Sequence, residues 1–220
     1  GFIPWDDDID IVMVRDEYNK FLEVYHELKE VHRFISVETD TSFSAPLAKI
    51  YNTSTVLKET LHNDNIEIGV YIDVFVFDYL PDSNMLRIIQ SKVAKILNRM
   101  WGMSVYSCKS NSLLERYARE VARKLSLGRC ATKFLVKMLN QNNCNAKEIG
   151  DLLYLCYPSL ATETFRRDEV LTYALYEFEN NLFYGFKDYD LFLKRWYGDY
   201  MRLPPVDQRV VHHTYEVYYR

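Results

Sequence analysis

The chain has few of the residues that interrupt structure, with seven glycines and six prolines among 220 positions. That scarcity excludes collagen-like and low-complexity classes and leaves little material for linkers. No apolar run approaches the roughly 18 residues a membrane-crossing helix requires, so no transmembrane span is expected. The four cysteines, Cys108, Cys130, Cys144 and Cys156, are far apart and form no C-x-x-C pair. This disfavours a zinc site or a disulfide framework and suits buried thiols in a reducing cytoplasm. A basic excess is also missing. The formal net charge is −4, whereas nucleic-acid binders present a basic face, so no nucleic-acid partner is expected. What is plentiful is apolar: 48% of residues are hydrophobic, and 18 are tyrosine. That is enough to bury a sizeable core in one domain or one and a half.

Against this background stands Pro4-Trp5-Asp6-Asp7-Asp8-Ile9-Asp10-Ile11, with four carboxylates in five positions, running into Val12-Met13-Val14. Read as a strand, it projects Asp6, Asp8 and Asp10 from one face, next neighbours roughly 7 Å apart. Carboxylates crowded in this way need cations, and their hard oxygens suit Mg²⁺ or Mn²⁺ with substrate phosphates completing the shell. The competing reading is a solvated acidic turn, against which the flanking apolar residues argue. A calcium loop fits Asp6, Asp8, Asp10 and Glu17 by spacing. It fails because β-branched Ile11 occupies the position that needs glycine.

A second acidic strand is read in Gly69-Val70-Tyr71-Ile72-Asp73-Val74-Phe75-Val76-Phe77-Asp78. Asp73 is the lone charge within an apolar run, and a buried carboxylate neutralises, pairs or binds metal. A structural role, accepting backbone hydrogen bonds, is the alternative. Asp78, at the strand end, is expected to be more easily solvated. Strand acids from two such segments can hold paired Mg²⁺ ions for in-line phosphoryl displacement.

Periodicity predicts an α+β first half and a mainly helical second half. Tyr18, Phe21, Leu22, Tyr25 and Leu28 recur at helical spacing behind Arg15 or Asp16. Short strands are expected at Phe34-Ile35-Ser36-Val37-Glu38 and Ala48-Lys49-Ile50-Tyr51. From Met85 the stripes Met85, Ile88, Ile89, Val93, Ile96, Leu97, Met100 and Leu113, Leu114, Tyr117, Val121, Leu125 read as helices, and a third includes Phe134, Leu135, Met138 and Leu139. Near the C-terminus, Tyr189, Phe192, Leu193 and Trp196 form another helix capped by Gly198. The turn residues Pro81-Asp82-Ser83-Asn84 mark the internal boundary. A core over residues 1–82 and a packed helical portion over 83–220 follow, together one continuous domain.

Four segments together, Gly1 to Ile11, Ala48-Lys49-Ile50, Ile72-Asp73-Val74-Phe75 and Tyr197-Gly198-Asp199-Tyr200-Met201 with Pro204-Pro205, closely resemble the LicD family of phosphotransferases, relatives of the fukutin proteins. The resemblance implies a nucleotidyltransferase-like mixed sheet, with the family's paired acids on Asp8 and Asp10 and its third carboxylate on Asp73. These three would be both metal ligands and catalytic residues. It further implies Mg²⁺ or Mn²⁺, a CDP-activated donor such as CDP-choline or CDP-ribitol, and a glycan or lipid-linked glycan acceptor. Lipopolysaccharide and teichoic acid precursors belong to that acceptor class. Either Asp10 or Asp73 would accept the hydroxyl proton. The family's glycine-containing phosphate-holding element lies upstream of the Pro-Trp-Asp segment, so it is expected to be missing from a chain that starts at Gly1. The reading places the protein in the cytoplasm, working at the inner membrane face through its substrate.

Substrate contacts are expected from Lys49, Tyr197 and Arg209. Lys49 would reach a phosphate or snorkel to water from a strand edge. His212 and His213 read as a packed tail and not as ligands. Tyr173, Tyr176, Phe178, Phe183, Tyr184, Phe186 and Tyr189 are core or, for a choline group, a cage. The resemblance thus implies transfer of a phosphoalcohol, phosphocholine before polyol phosphate or another sugar phosphate, and two other classes remain open: a nucleotidylyltransferase acting on a small molecule, and a non-catalytic metal-binding relative.

Overall fold

The computed structural model describes residues 3–6, 8–59, 66–105, 112–151, 164–210 and 215–220. The apolar run after Asp10 forms strand β1 (Asp10–Val14) and passes directly into helix α1 (Arg15–Val24), whose first turn carries Asp16 and Glu17 at the positive end of the helix dipole. Strands β2 (His32–Ile35), β3 (Ala48–Asn52), β4 (Thr55–Glu59) and β5 (Tyr71–Tyr79) follow. Then come helices α2 (Asn84–Val105), α3 (Leu113–Lys124) and α4 (Leu127–Leu139). The chain returns to strands in β6 (Glu148–Gly150) and β7 (Thr164–Arg166), and continues through α5 (Arg167–Val170), β8 (Tyr173–Phe178), β9 (Asn181–Phe186), α6 (Tyr189–Tyr197) and β10 (Tyr215–Tyr219).

The main sheet runs β2-β3-β5-β6-β7, with β1 added parallel to β5 and every other pairing antiparallel. The fold is therefore mixed α/β. Alternation along β5 distributes its side chains to two cores. Val74 and Val76, with Ile11 and Met13, pack beneath Tyr18, Phe21 and Leu22 of α1. On the opposite face Phe77 lies against Phe165, with ring centres 5.8 Å apart, and against Phe192 and Trp196 of α6. Phe77 and Phe165 are almost wholly buried, worth about 2–3 kcal/mol each from area alone. Leu80, Ala94, Leu135, Val136 and Leu139 form a third core that ties α2 and α4 to the end of β5.

Several expectations shift. The strand expected through Glu38 stops at Ile35 because the Ser36 hydroxyl accepts hydrogen bonds from the backbone N–H groups of Glu38 and Thr39, drawing the chain into a turn. The mainly helical character expected from residue 83 onward is continuous only to Leu139, with α5 and α6 set among strands beyond it. Beyond it, three-residue strands too short to display a period rejoin the sheet, and β8 and β9 form a hairpin. That hairpin turns on Glu179 and Asn180, both at positive φ (49° and 62°). This is the left-handed pair a tight hairpin uses, here without the glycine that signals it in a sequence. Cys130 and Cys144 are exposed free thiols, not buried ones, because Cys130 lies on the outer face of α4 and Cys144 in the turn before β6. Cys108 and Cys156 lie outside the described residues. Among the described residues no helix is long and apolar enough to cross a membrane.

Gly69 holds the approach to β5 against the β3–β4 turn. A Cβ there would stand 1.8 Å from the Asn52 carbonyl oxygen and 2.6 Å from Thr55 Oγ1. The same turn is closed by Asn52 N–H donating to Val70 O and by Val70 N–H donating to Thr55 Oγ1. Gly69→Ala is expected to cost about 1–3 kcal/mol through overpacking, seen as a lower urea midpoint. An unchanged midpoint would show that the turn relaxes freely.

Candidate functional site

β5 has β1 on one side and β3 on the other, and the registers place Asp10 opposite Asp73 and Lys49 opposite Asp73. Directly opposed residues share a face with Cβ atoms roughly 5 Å apart. Three strands therefore present Asp10, Asp73 and Lys49 as one row, on the face that carries Phe77. Lys49 Nζ donates to Asp73 Oδ1 at 2.7 Å, and both side chains are largely shielded, at 14% and 17% exposure. The ammonium also lies 3.3 Å from the centre of the Tyr71 ring, a cation–π position. The strand-edge reading of Lys49 is thus corrected. β3 is an interior strand, and its lysine is held over the acids instead of reaching for water.

Asp6 and Asp8 do not continue the strand as expected. β1 begins at Asp10, and the preceding segment turns, with Asp6 N–H donating to Ile3 O. All three acids still converge electrostatically. The Asp10 carboxyl is pushed up to about 6, first by burial and then by the Asp8, Asp73 and Asp6 carboxylates, with Lys49 opposing. An acid raised by its acidic neighbours is a site short of positive charge. Among the described residues no three His, Cys, Asp or Glu side chains converge as a ready-made metal cage. The row instead offers few carboxylates and an open side, the pattern in which substrate phosphates supply the remaining ligands of a magnesium ion.

The C-terminal part of the chain comes to the same place. α6 packs Phe192 and Trp196 on the sheet and ends at Gly198, whose φ of 68° suits glycine and whose N–H donates to Lys194 O. Tyr197, in the last turn and 67% exposed, has its hydroxyl raised first by partial burial and then by the Asp10, Asp6 and Asp8 carboxylates, within whose electrostatic range it lies. Arg209 donates from Nε to Pro204 O and sets its guanidinium 5.2 Å from the centre of the Trp5 ring. Asp6, Asp8, Asp73, Lys49 and Tyr197 are thus each tied electrostatically to Asp10, and Arg209 lies over Trp5, next to Asp6 in the chain. Asp6 and Asp8 also line a cavity of about 410 Å³ with His32, Asn52, Tyr71 and Ile72, a volume suited to part of a nucleotide-sized ligand, but Asp10, Asp73 and Lys49 do not line it, and its Ile50 and Ile72 belong to the opposite face of the sheet. His32 and Asn52 carried no sequence signal, because only the pairing of β2 with β3 sets them opposite each other.

Other expectations do not hold. Asp78 is fully buried, not solvated, because Arg15 reaches it with two hydrogen bonds, Nε to Oδ1 at 2.6 Å and Nη2 to Oδ2 at 3.1 Å. Complete burial raises its carboxyl above the usual range against the pull of that guanidinium. The aromatic run does not gather into one cage. Phe186 packs on Phe192, Phe183 and Tyr184 are exposed, and Tyr176 donates its hydroxyl to the Phe186 and Lys187 carbonyls. Tyr176, Phe186 and Tyr189 with Gly185 line only a shallow hollow. His212 and His213 lie outside the described residues.

Compared with known proteins, the chain matches no family model and no solved structure. It is 30% identical over 231 aligned positions to the lipopolysaccharide cholinephosphotransferase LicD of Haemophilus influenzae, an alignment covering 99% of this chain and 82% of that protein. Likeness of this extent takes in the acidic segment, the second acidic strand and the C-terminal segment that the fold brings together. The chain therefore belongs to the LicD family of phosphotransferases.

Proposed function

We propose that the chain transfers phosphocholine from a CDP-activated donor such as CDP-choline onto lipopolysaccharide or a related surface-glycan precursor, using a nucleotidyltransferase-like sheet and a divalent cation. The observation that carries this reading is the Asp10–Asp73–Lys49 row, supported by the activity named for the Haemophilus relative. Asp8, Asp10 and Asp73 are the residues that would hold Mg²⁺ or Mn²⁺. Burial and then carboxylate crowding lift Asp10, and the crowding is the part such an ion relieves. When bound, the cation supplies charge neutralisation on the donor pyrophosphate and on the departing CMP. Lys49 adds fixed positive charge beside Asp73, and Tyr197, within electrostatic range of the acids, and Arg209, over Trp5, are the residues that would contact donor or acceptor. Incubating the protein with CDP-choline, Mg²⁺ and lipopolysaccharide tests the reading. Release of CMP with choline on the glycan is expected. With a nucleoside triphosphate supplied in place of CDP-choline, release of pyrophosphate would instead mark a nucleotidylyltransferase.

Proton and metal compete for Asp10. Its carboxyl ionises near pH 6 when folded, against an ordinary value of 3.8, so the folded protein holds more protons than the unfolded chain between those values. Stability of the metal-free protein should therefore rise as pH falls from about 6 towards 4. Mn²⁺ affinity should move the opposite way, weakening up to tenfold per pH unit below about 6 and levelling above it. Calorimetric titration with Mn²⁺ from pH 5 to 7.5 measures this, and an affinity that stays flat in the wild type would remove Asp10 from the metal site.

A further inference from the structure

The chain's charge is strongly segregated. Residues 84–139 hold twelve Lys or Arg and only two Asp or Glu, a net charge of +10, while the rest of the chain carries fifteen basic against twenty-nine acidic residues, a net charge of −14. The same helical block exposes large apolar side chains. In α2, Ser91, Ala94, Ser104 and Val105 face the interior. On the opposite side Met85, Ile88, Ile89, Ile96 and Met103 follow one another at steps of three, one, seven and seven residues, with exposures between 37% and 71%. That spacing sets them on a single face. Lys92 and Arg99 fall within that stripe and Lys95 on its margin, and none of the three forms an ion pair among the described residues. α3 continues the character with Leu113, Leu114 and Tyr117 at 70–82% exposure and with Arg116 beside them.

We propose that the exposed face of α2, continued by α3, docks the protein on an anionic phospholipid bilayer. The charge decides the partner. An apolar stripe alone fits many surfaces, but one interleaved with unpaired cations complements a sheet of lipid phosphates, whose negative potential attracts basic residues within a Debye length. The apolar side chains then enter the headgroup region as those of an interfacial amphipathic helix do. The remaining −14 is repelled by the same surface, which orients the molecule with α2 and α3 towards the lipid. No described helix can span, so the attachment is reversible and lies in the plane of the interface.

The test is sedimentation of the full chain with vesicles of phosphatidylcholine alone or with 30% phosphatidylglycerol, at low and at high salt. Binding to the anionic vesicles that weakens with salt is expected. The triple variant Lys92→Gln/Lys95→Gln/Arg99→Gln should lower it at least about tenfold, and Ile88→Ser/Ile96→Ser should also weaken it. These positions are exposed and remote from the acids, so both variants should retain the native circular dichroism and the native release of CMP from donor. Equal binding to both vesicle types, binding that neither variant changes, or a wild-type dimer that ignores vesicles and is dissociated by Ile88→Ser/Ile96→Ser would each overturn the proposal.

Discussion

Asp10→Ala is expected to lower phosphocholine transfer by on the order of a thousandfold, and Asp8→Ala to have an effect of the same kind, while the thermal transition of the metal-free protein stays in place or rises. The size follows from the chemistry. A bound cation contributes several kcal/mol of charge stabilisation to phosphoryl displacement, and each 1.4 kcal/mol is a factor of ten in rate. The stability half follows from the geometry. β1 is held by its register with β5 and by the burial of Ile11, Met13 and Val14, none of which involves a carboxylate. Removing Asp10 relieves the burial of a charge and the carboxylate repulsion that together lift it to about 6. The folded chain then loses a strained charge and nothing that packs, so a rise of about 2–4 °C per kcal/mol relieved is the scale to look for. Transfer assays and calorimetry on the same samples separate the two effects. A double variant lacking both acids that still turned over would end the assignment of the metal site.

Arg15→Met is expected to be a strongly destabilising substitution where α1 meets the sheet, by about 3–5 kcal/mol, out of a total of about 5–15 kcal/mol for a domain. Arg15 is 3% exposed and Asp78 wholly enclosed, and the two hydrogen bonds between them join the first residue of α1 to the far end of β5. Arg15 also lies 5.2 Å from the centre of the Tyr18 ring, and Tyr18 in turn donates to Glu38 Oε2 at 2.9 Å. Methionine keeps most of the volume but leaves a carboxylate in the core without its counter-charge. The double variant Arg15→Met/Asp78→Leu should recover most of the loss, because a buried ion pair replaced whole by apolar groups costs little. Urea unfolding of the two variants decides the matter. Equal loss in both would mean that packing around the pair, and not the orphaned charge, dominates.

The acidic segment before Ile11, the single carboxylate within the apolar run at Asp73 and the helices through Leu139 were all legible in the sequence. So was the α6 helix with its Gly198 cap. Each is a local property: a charge cluster, a period or a cap is written in neighbouring residues and survives whatever the rest of the chain does. Beyond that point the sequence was silent, since side-chain alternation tells which residues share a face of one strand but not which strand lies beside it. The row of Asp10, Asp73 and Lys49 exists because β5 takes β1 in parallel and β3 antiparallel in one particular register. A one-residue slip would turn every side chain to the other face. Tyr197 comes within electrostatic range of the acids because α6 buries Phe192 and Trp196 on that sheet, and Arg209 is set over Trp5, next to Asp6 in the chain. The burial of Asp78 depended on Arg15 likewise. A charge at a strand end looks soluble until an arginine from another element makes burying it possible.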